Sequence, residues 1–63
     1  MYDVKFHFPY ASVSLDNVSE SRVAAWKDAV QNGKVFTVND NHVTYTINPS
    51  LLTYMEQRPH REF

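Results

Sequence analysis

The sequence predicts an α+β fold: a small antiparallel sheet of three or four strands with one helix packed on one face. Three observations carry this. The run Asn17–Gly33, NVSESRVAAWKDAVQNG, has one apolar stripe at helical spacing and closes on the chain's only glycine. Tyr2, Val4, Phe6 and Phe8 alternate with Asp3, Lys5 and His7, the period of a half-buried strand. Two β-branched and aromatic runs, Lys34–Val38 and His42–Ile47, flank Asn39-Asp40-Asn41 and read as a hairpin. The expected order is β-α-β-β-β or β-α-β-β-α. The ambiguity lies in residues 51–57.

The first strand is expected to end at Pro9, which cannot donate to a ladder. After it the phase reverses. Ala11, Val13 and Leu15 become the apolar set, a shift that reads as a bulge or bend. The pattern leaves open whether residues 10–15 prolong the first strand or lead into the helix.

The helix is expected to start at Asn17, whose side-chain oxygen can accept a free N–H of the first turn, with Glu20 completing a capping box. Ser19 is the competing cap. Val23, Trp26 and Val30, with Ala29 beside them, form one apolar stripe at helical period. Trp26 is expected to be the largest contributor to the core. Gly33 supplies the stop, because glycine enters the left-handed region without a Cβ clash.

In the hairpin, Val43, Tyr45 and Ile47 share one face of the return strand, and His42, Thr44 and Thr46 the other. Asn48-Pro49-Ser50 then breaks the strand. Asn48 can cap a short helix with Pro49 at its first position. Alternatively, Leu51–Gln57 forms a third strand beside the hairpin, with Leu51, Thr53 and Met55 on one face. Pro59 is expected to end either element, and residues 59–63 to form a mobile tail.

Composition narrows the function. The 63 residues form one domain, spanning 1–63. Four Phe, four Tyr and one Trp give this chain enough apolar area to fold. Six Lys and Arg against seven Asp and Glu leave a net charge of −1, which does not favour nucleic acid. No apolar run reaches the roughly eighteen residues of a membrane span. The N-terminal MYDVKFHF has neither the basic region nor the apolar stretch of a secretory signal. With no cysteine there is no thiol chemistry and no need for an oxidising compartment, so a cytoplasmic location is expected.

No catalytic constellation emerges. His7, His42 and His60 lack metal-site spacing, so no metal and no cofactor is expected. One glycine cannot build a phosphate loop, and no G-x-S-x-G nucleophile turn is present. The seven acidic side chains are dispersed through caps, turns and exposed faces. The chain reads as a non-enzyme.

The stronger signal is surplus apolar surface. One helix covers one face of a small sheet, while the strands carry apolar residues at both phases. Such a face normally marks an interaction surface, and a homodimer or higher oligomer is the simplest way to cover it. A protein partner would be met by Tyr10, Phe36, Tyr45 and Tyr54, because aromatics dominate binding hot spots. The alternative is nucleic-acid or nucleotide binding through Lys5, His7, His42, Arg58 and Arg61, with the strand aromatics as stacking platforms.

The order KVFTV, NDN, HVTYTINPSLLTYME resembles short accessory proteins of bacteriophage and prophage genomes, over about residues 19 to 57. The likeness is one of pattern, without a diagnostic motif, and carries over no functional residue. It implies a small non-enzymatic binder, a regulator or inhibitor acting on a host or defence protein.

Overall fold

A computed structural model describes residues 1–61 and confirms the α+β class. The described elements are β1 (Tyr2–His7), β2 (Ser12–Val18), α1 (Glu20–Gln31), β3 (Phe36–Asp40), β4 (Val43–Ile47), a 3-10 turn (Pro49–Leu51) and β5 (Tyr54–Pro59). The strands form two antiparallel sheets instead of one. One has the order β2-β1-β5, and the other is the β3-β4 hairpin.

The phase reversal after Pro9 is a hairpin turn and not a bulge. The Phe8 N–H donates to the Ala11 carbonyl at 2.8 Å, so Pro9 and Tyr10 are the turn residues and the chain doubles back as β2. Phe6 then lies opposite Val13 and Val4 opposite Leu15, which puts both apolar sets on one face. A bulge does occur, but further on. Asp3 faces both Asp16 and Asn17, and Tyr2 pairs with Val18. The extra residue returns Val18 to the buried face, which explains the spacing Val13, Leu15, Val18.

Asn17 is therefore not the helix cap. It takes the left-handed conformation at φ 56° and donates its backbone N–H to Asp3 Oδ1 at 3.1 Å. Asparagine tolerates this region better than most residues. Ser19 is the N-cap residue, without a side-chain cap bond, and Glu20 opens the helix where its charge suits the positive end of the dipole. At the other end Gly33 has φ 67°. Its N–H donates to the Val30 carbonyl, and the Lys34 N–H donates to the Ala29 carbonyl at 2.9 Å. These are the two bonds of a Schellman stop. The Asn32 side chain adds a third, donating to the Asp28 carbonyl at 2.8 Å.

The β3-β4 turn falls one residue later than the Asn-Asp-Asn run suggests. Asp40 pairs with Val43, leaving Asn41 and His42 in the turn, both with positive φ. Two left-handed residues give the twist that a two-residue hairpin needs. Residues 51–57 divide between the two expectations. Asn48 caps the 3-10 turn by accepting the Ser50 N–H at 3.1 Å, and the chain then extends into β5. β5 joins β1, however, and not the hairpin. Pro59 is its last residue, and the His60 N–H donates to the Met1 carbonyl at 2.9 Å. The segment 59–63 is thus tied down at its start, and residues 62–63 lie outside the described residues.

The core joins all three layers. Val4 and Phe6 of β1, Leu15 and Val18 of β2, Val23 and Trp26 of α1, Val38 of β3 and Ile47 of β4 are buried together. Phe6 sits at the centre. Its ring meets Trp26 edge-on at 5.7 Å and Phe36 in a tilted contact at 5.7 Å. The helix and the hairpin thus pack on the inner face of the three-stranded sheet. That arrangement leaves the outer face of this sheet uncovered by the other described elements.

Candidate functional site

The outer face of the sheet is polar, contrary to the expectation of a second apolar face. Asp3, Lys5 and His7 of β1 lie opposite Arg58, Glu56 and Tyr54 of β5. On the other side, Lys5 and His7 lie opposite Ser14 and Ser12 of β2. Period-two alternation sends these side chains outward because Val4 and Phe6 point in. The hairpin repeats the pattern, with Phe36, Val38, Tyr45 and Ile47 packed inward and Thr37, Asn39, Thr44 and Thr46 exposed.

Glu56 organises this face. His7 Nε2 lies 2.8 Å from Glu56 Oε1, and Arg58 Nη2 lies 3.0 Å from Glu56 Oε2. The His7 ring also stacks on Tyr54, with centroids 4.0 Å apart and planes 17° from parallel. A second pair closes the far end of β5, where His60 Nδ1 lies 2.6 Å from Asp3 Oδ1. Both carboxyls are held below the ordinary carboxylate range. For Glu56 the main cause is the hydrogen bond to His7, with the Arg58 charge helping. For Asp3 it is the Asn17 backbone N–H first and His60 second.

These shifts set an expected pH response. A carboxyl with a lowered folded-state pKa stabilises the fold while it is ionised, and that contribution disappears as pH falls through its folded pKa. The melting temperature should therefore drop as pH falls into the ordinary carboxylate range near about 4 and below it. Asp3→Asn and Glu56→Gln should each flatten this acid limb. Thermal melts followed by circular dichroism between neutral and acid pH check it. An acid limb unchanged in the double variant would refute the assignment.

The residues expected to contact nucleic acid do not form a basic surface. Lys5, His7 and Arg58 share the outer sheet face, but the shallow depression of about 240 Å³ that Lys5 and Arg58 line there is bordered also by Asp3, Asp16 and Glu56. Glu56 already engages His7 and Arg58. His42 stands in the β3-β4 turn of the other sheet, and Arg61 follows β5. Among the described residues, no group of three or more His, Cys, Asp or Glu is placed to hold a metal ion. No helix there is long and apolar enough to cross a membrane.

The four aromatics expected at a protein partner separate as well. Phe36 and Tyr45 are half-buried and pack against the core, because β3 and β4 turn them inward. Tyr54 is 52% exposed but belongs to the polar face, stacked on His7. Tyr10 is 99% exposed at the tip of the β1-β2 turn. There it meets residues that sequence reasoning did not single out. Phe8, Pro9, Tyr10 and Ala11 from the turn, with Ser50 and Leu51 from the 3-10 turn, line an open groove of about 330 Å³. Leu51 is 64% exposed. Backbone bonding holds the two segments side by side, since the Thr53 N–H donates to the His7 carbonyl at 2.7 Å. Pro9-Tyr10 between two apolar runs of opposite phase was the available signal for this tip.

Comparison of the chain with protein-family models, with curated proteins and with solved structures finds no match.

Proposed function

We propose that the chain is a non-enzymatic protein-binding module, a regulator or inhibitor working in the cytoplasm, that engages its partner through the Tyr10–Leu51 tip. The observation that carries this reading is the full exposure of Tyr10 beside an apolar groove. A large aromatic held on a hairpin turn offers wide contact area with few torsions to freeze, the property that makes tyrosine common at binding hot spots. Leu51 and Phe8 give the partner an apolar floor, and the groove-lining residues carry no ionisable group other than the Tyr10 phenol. The resemblance to phage accessory proteins supports the same reading and suggests a host or defence protein as the target class.

Affinity capture from the native host tests it, with wild type, Tyr10→Ala and Leu51→Asp as parallel baits. A protein retained by wild type and lost in both variants, at unchanged melting temperature, is the expected result. Both substitutions lie at exposed positions, where effects on stability are usually within about 0.5 kcal/mol. A partner that binds all three baits equally would refute the tip as the binding site.

A further inference from the structure

We infer that β2 is a self-association edge, and that two copies of this chain join through antiparallel β2–β2 pairing about Ser14. The edge follows from the hydrogen-bond phase. Antiparallel neighbours alternate between bonded and non-bonded pairs. The Phe8–Ala11 bond fixes the phase, so Val13 and Leu15 direct their backbone groups at β1. Ser12, Ser14 and Asp16 then direct theirs away from β1. No strand lies on that side of β2 among the described residues, and all three residues are exposed.

The remaining edges are poorer templates. On β5 the Met1–His60 bond sets the phase, so Met55 and Gln57 direct their backbone groups away from β1 and Pro59 has no N–H to offer. The charged Glu56 and Arg58 flank them, which are common devices for blunting an edge. β3 and β4 have five residues each, against seven in β2. β2 contains no proline, lysine or arginine.

A second copy fits this edge because the edge is symmetric about its centre. The bulge at Asp16 and Asn17 stops regular pairing at Asp16, so the usable edge runs over 12–16 with Ser14 in the middle. In a two-fold antiparallel join Ser14 meets Ser14 of the second copy, and each Ser12 meets an Asp16. Every outward N–H finds a carbonyl. Each Asp16 carboxylate faces a serine hydroxyl and not its own like charge. On the inner face Val13 lies beside Leu15 of the other copy, which covers the half-exposed Val13. The product is a continuous sheet of twice three strands with a self-complementary contact. The inference is independent of the Tyr10 tip, which lies beyond the paired residues.

Sedimentation equilibrium from about 1 µM to about 1 mM should show a monomer–dimer equilibrium. A monomer throughout this range would overturn the inference and leave the edge to a strand from another protein. Ser14→Asp is the specific probe. Within one copy the new carboxylate lies opposite Lys5, in the depression that Arg58, Asp3, Asp16 and Glu56 also line. Across the join it faces its own copy, which should weaken the dimer at least about tenfold at low salt. About 1 M NaCl should restore it, because screening then acts within a few ångströms. Thr37→Asp, on the exposed face of β3, should leave the dimer unchanged. A Ser14→Asp protein that dimerises like wild type at low salt, or a Thr37→Asp protein that does not dimerise, would overturn the inference. Ser14→Cys supplies a second readout that needs no charge change. It would be the chain's only thiol, and Cα atoms about 5.5 Å apart across the join fall within disulfide reach. Rapid covalent dimerisation on mild oxidation is expected for Ser14→Cys and not for Thr37→Cys. Equal rates for the two would overturn it.

Discussion

Phe6→Ala is expected to lose about 3–5 kcal/mol of stability, the range for truncating a large buried aromatic. Phe6 is 0% exposed and is the side chain on which the layers converge. It joins β1 to α1 through Trp26 and to the hairpin through Phe36. Removing the ring leaves a cavity bordered by three separate elements, none of which can close it without leaving its own partners. A domain of this size has a total stability of only a few kcal/mol more than that loss, or less. The variant should therefore be largely unfolded at ambient temperature. Urea titration followed by far-ultraviolet circular dichroism measures it. Phe6→Leu should retain much more of the fold, because it keeps most of the apolar volume. A Phe6→Ala protein within about 1 kcal/mol of wild type would mean that the layers are held together elsewhere.

Trp26→Ala should be comparably damaging, by about 3–5 kcal/mol. Trp26 is 6% exposed and, with Val23, is one of the two buried side chains of α1. The helix has no side-chain N-cap bond, so its docking depends heavily on this stripe. Twelve residues make a marginal helix when isolated, and loss of the indole should release it. Arg22, whose guanidinium carbon lies 5.3 Å from the ring centroid, covers the outer side and contributes less, about 0.5–1 kcal/mol at such an exposed position. Native tryptophan emission should be blue-shifted and should move to that of water-exposed indole on unfolding. Native emission already at the exposed position would contradict the burial. In a cycle with Phe6→Leu and Trp26→Phe, coupling of about 0.5–1.5 kcal/mol is expected from the edge-on contact.

Much of this architecture was legible in the residues themselves. The alternation of Tyr2–Phe8 and the Val23–Trp26 spacing both report burial, through periods of two and 3.6, whereas Val30 of the same stripe is half-buried and stands outside the core. Gly33 marked the helix stop because the left-handed position has few other tenants. The misreadings share a cause, which is that they depend on pairing. Nothing local to Pro9-Tyr10 distinguishes a turn from a kink. Only the opposition of Val13 to Phe6 and Leu15 to Val4 decides it, across the turn. Asn17 carries a cap's chemistry but is used for a bulge, because the Asp3 carboxylate across the strand takes its N–H. For residues 51–57 the sequence offers a short helix or a strand beside the hairpin that precedes them, whereas the actual partner of β5 is β1.

Of the four aromatics that the sequence offers as partner contacts, Tyr10 alone lines the groove at the β1-β2 turn. Tyr10 follows Pro9 in the phase of Ser12 and Ser14, against the apolar set Ala11, Val13 and Leu15. Phe36 and Tyr45 were not separable from it by residue type, since inward and outward phases in a hairpin depend on where the turn falls. Leu51 belongs to the tip only because the 3-10 turn ends beside Pro9, a juxtaposition of residues distant in sequence.

The central position of β1 has a consequence for how the chain acquires its structure. β1 pairs with β2 across a two-residue turn, but its other neighbour is β5, from His7–Tyr54 to Tyr2–Pro59. The first pairing costs little loop entropy and can form while the chain is still being synthesised. The second cannot form until nearly every other element has emerged, and closing so long a segment is a slow step. Until then the N-terminal hairpin carries the apolar side chains of Val4 and Phe6 with one flank of the strand open. That interval is when off-pathway strand addition is most favourable. Conditions that slow the arrival or docking of residues 54–59 should therefore lower the yield of folded protein more than their effect on the finished fold would suggest.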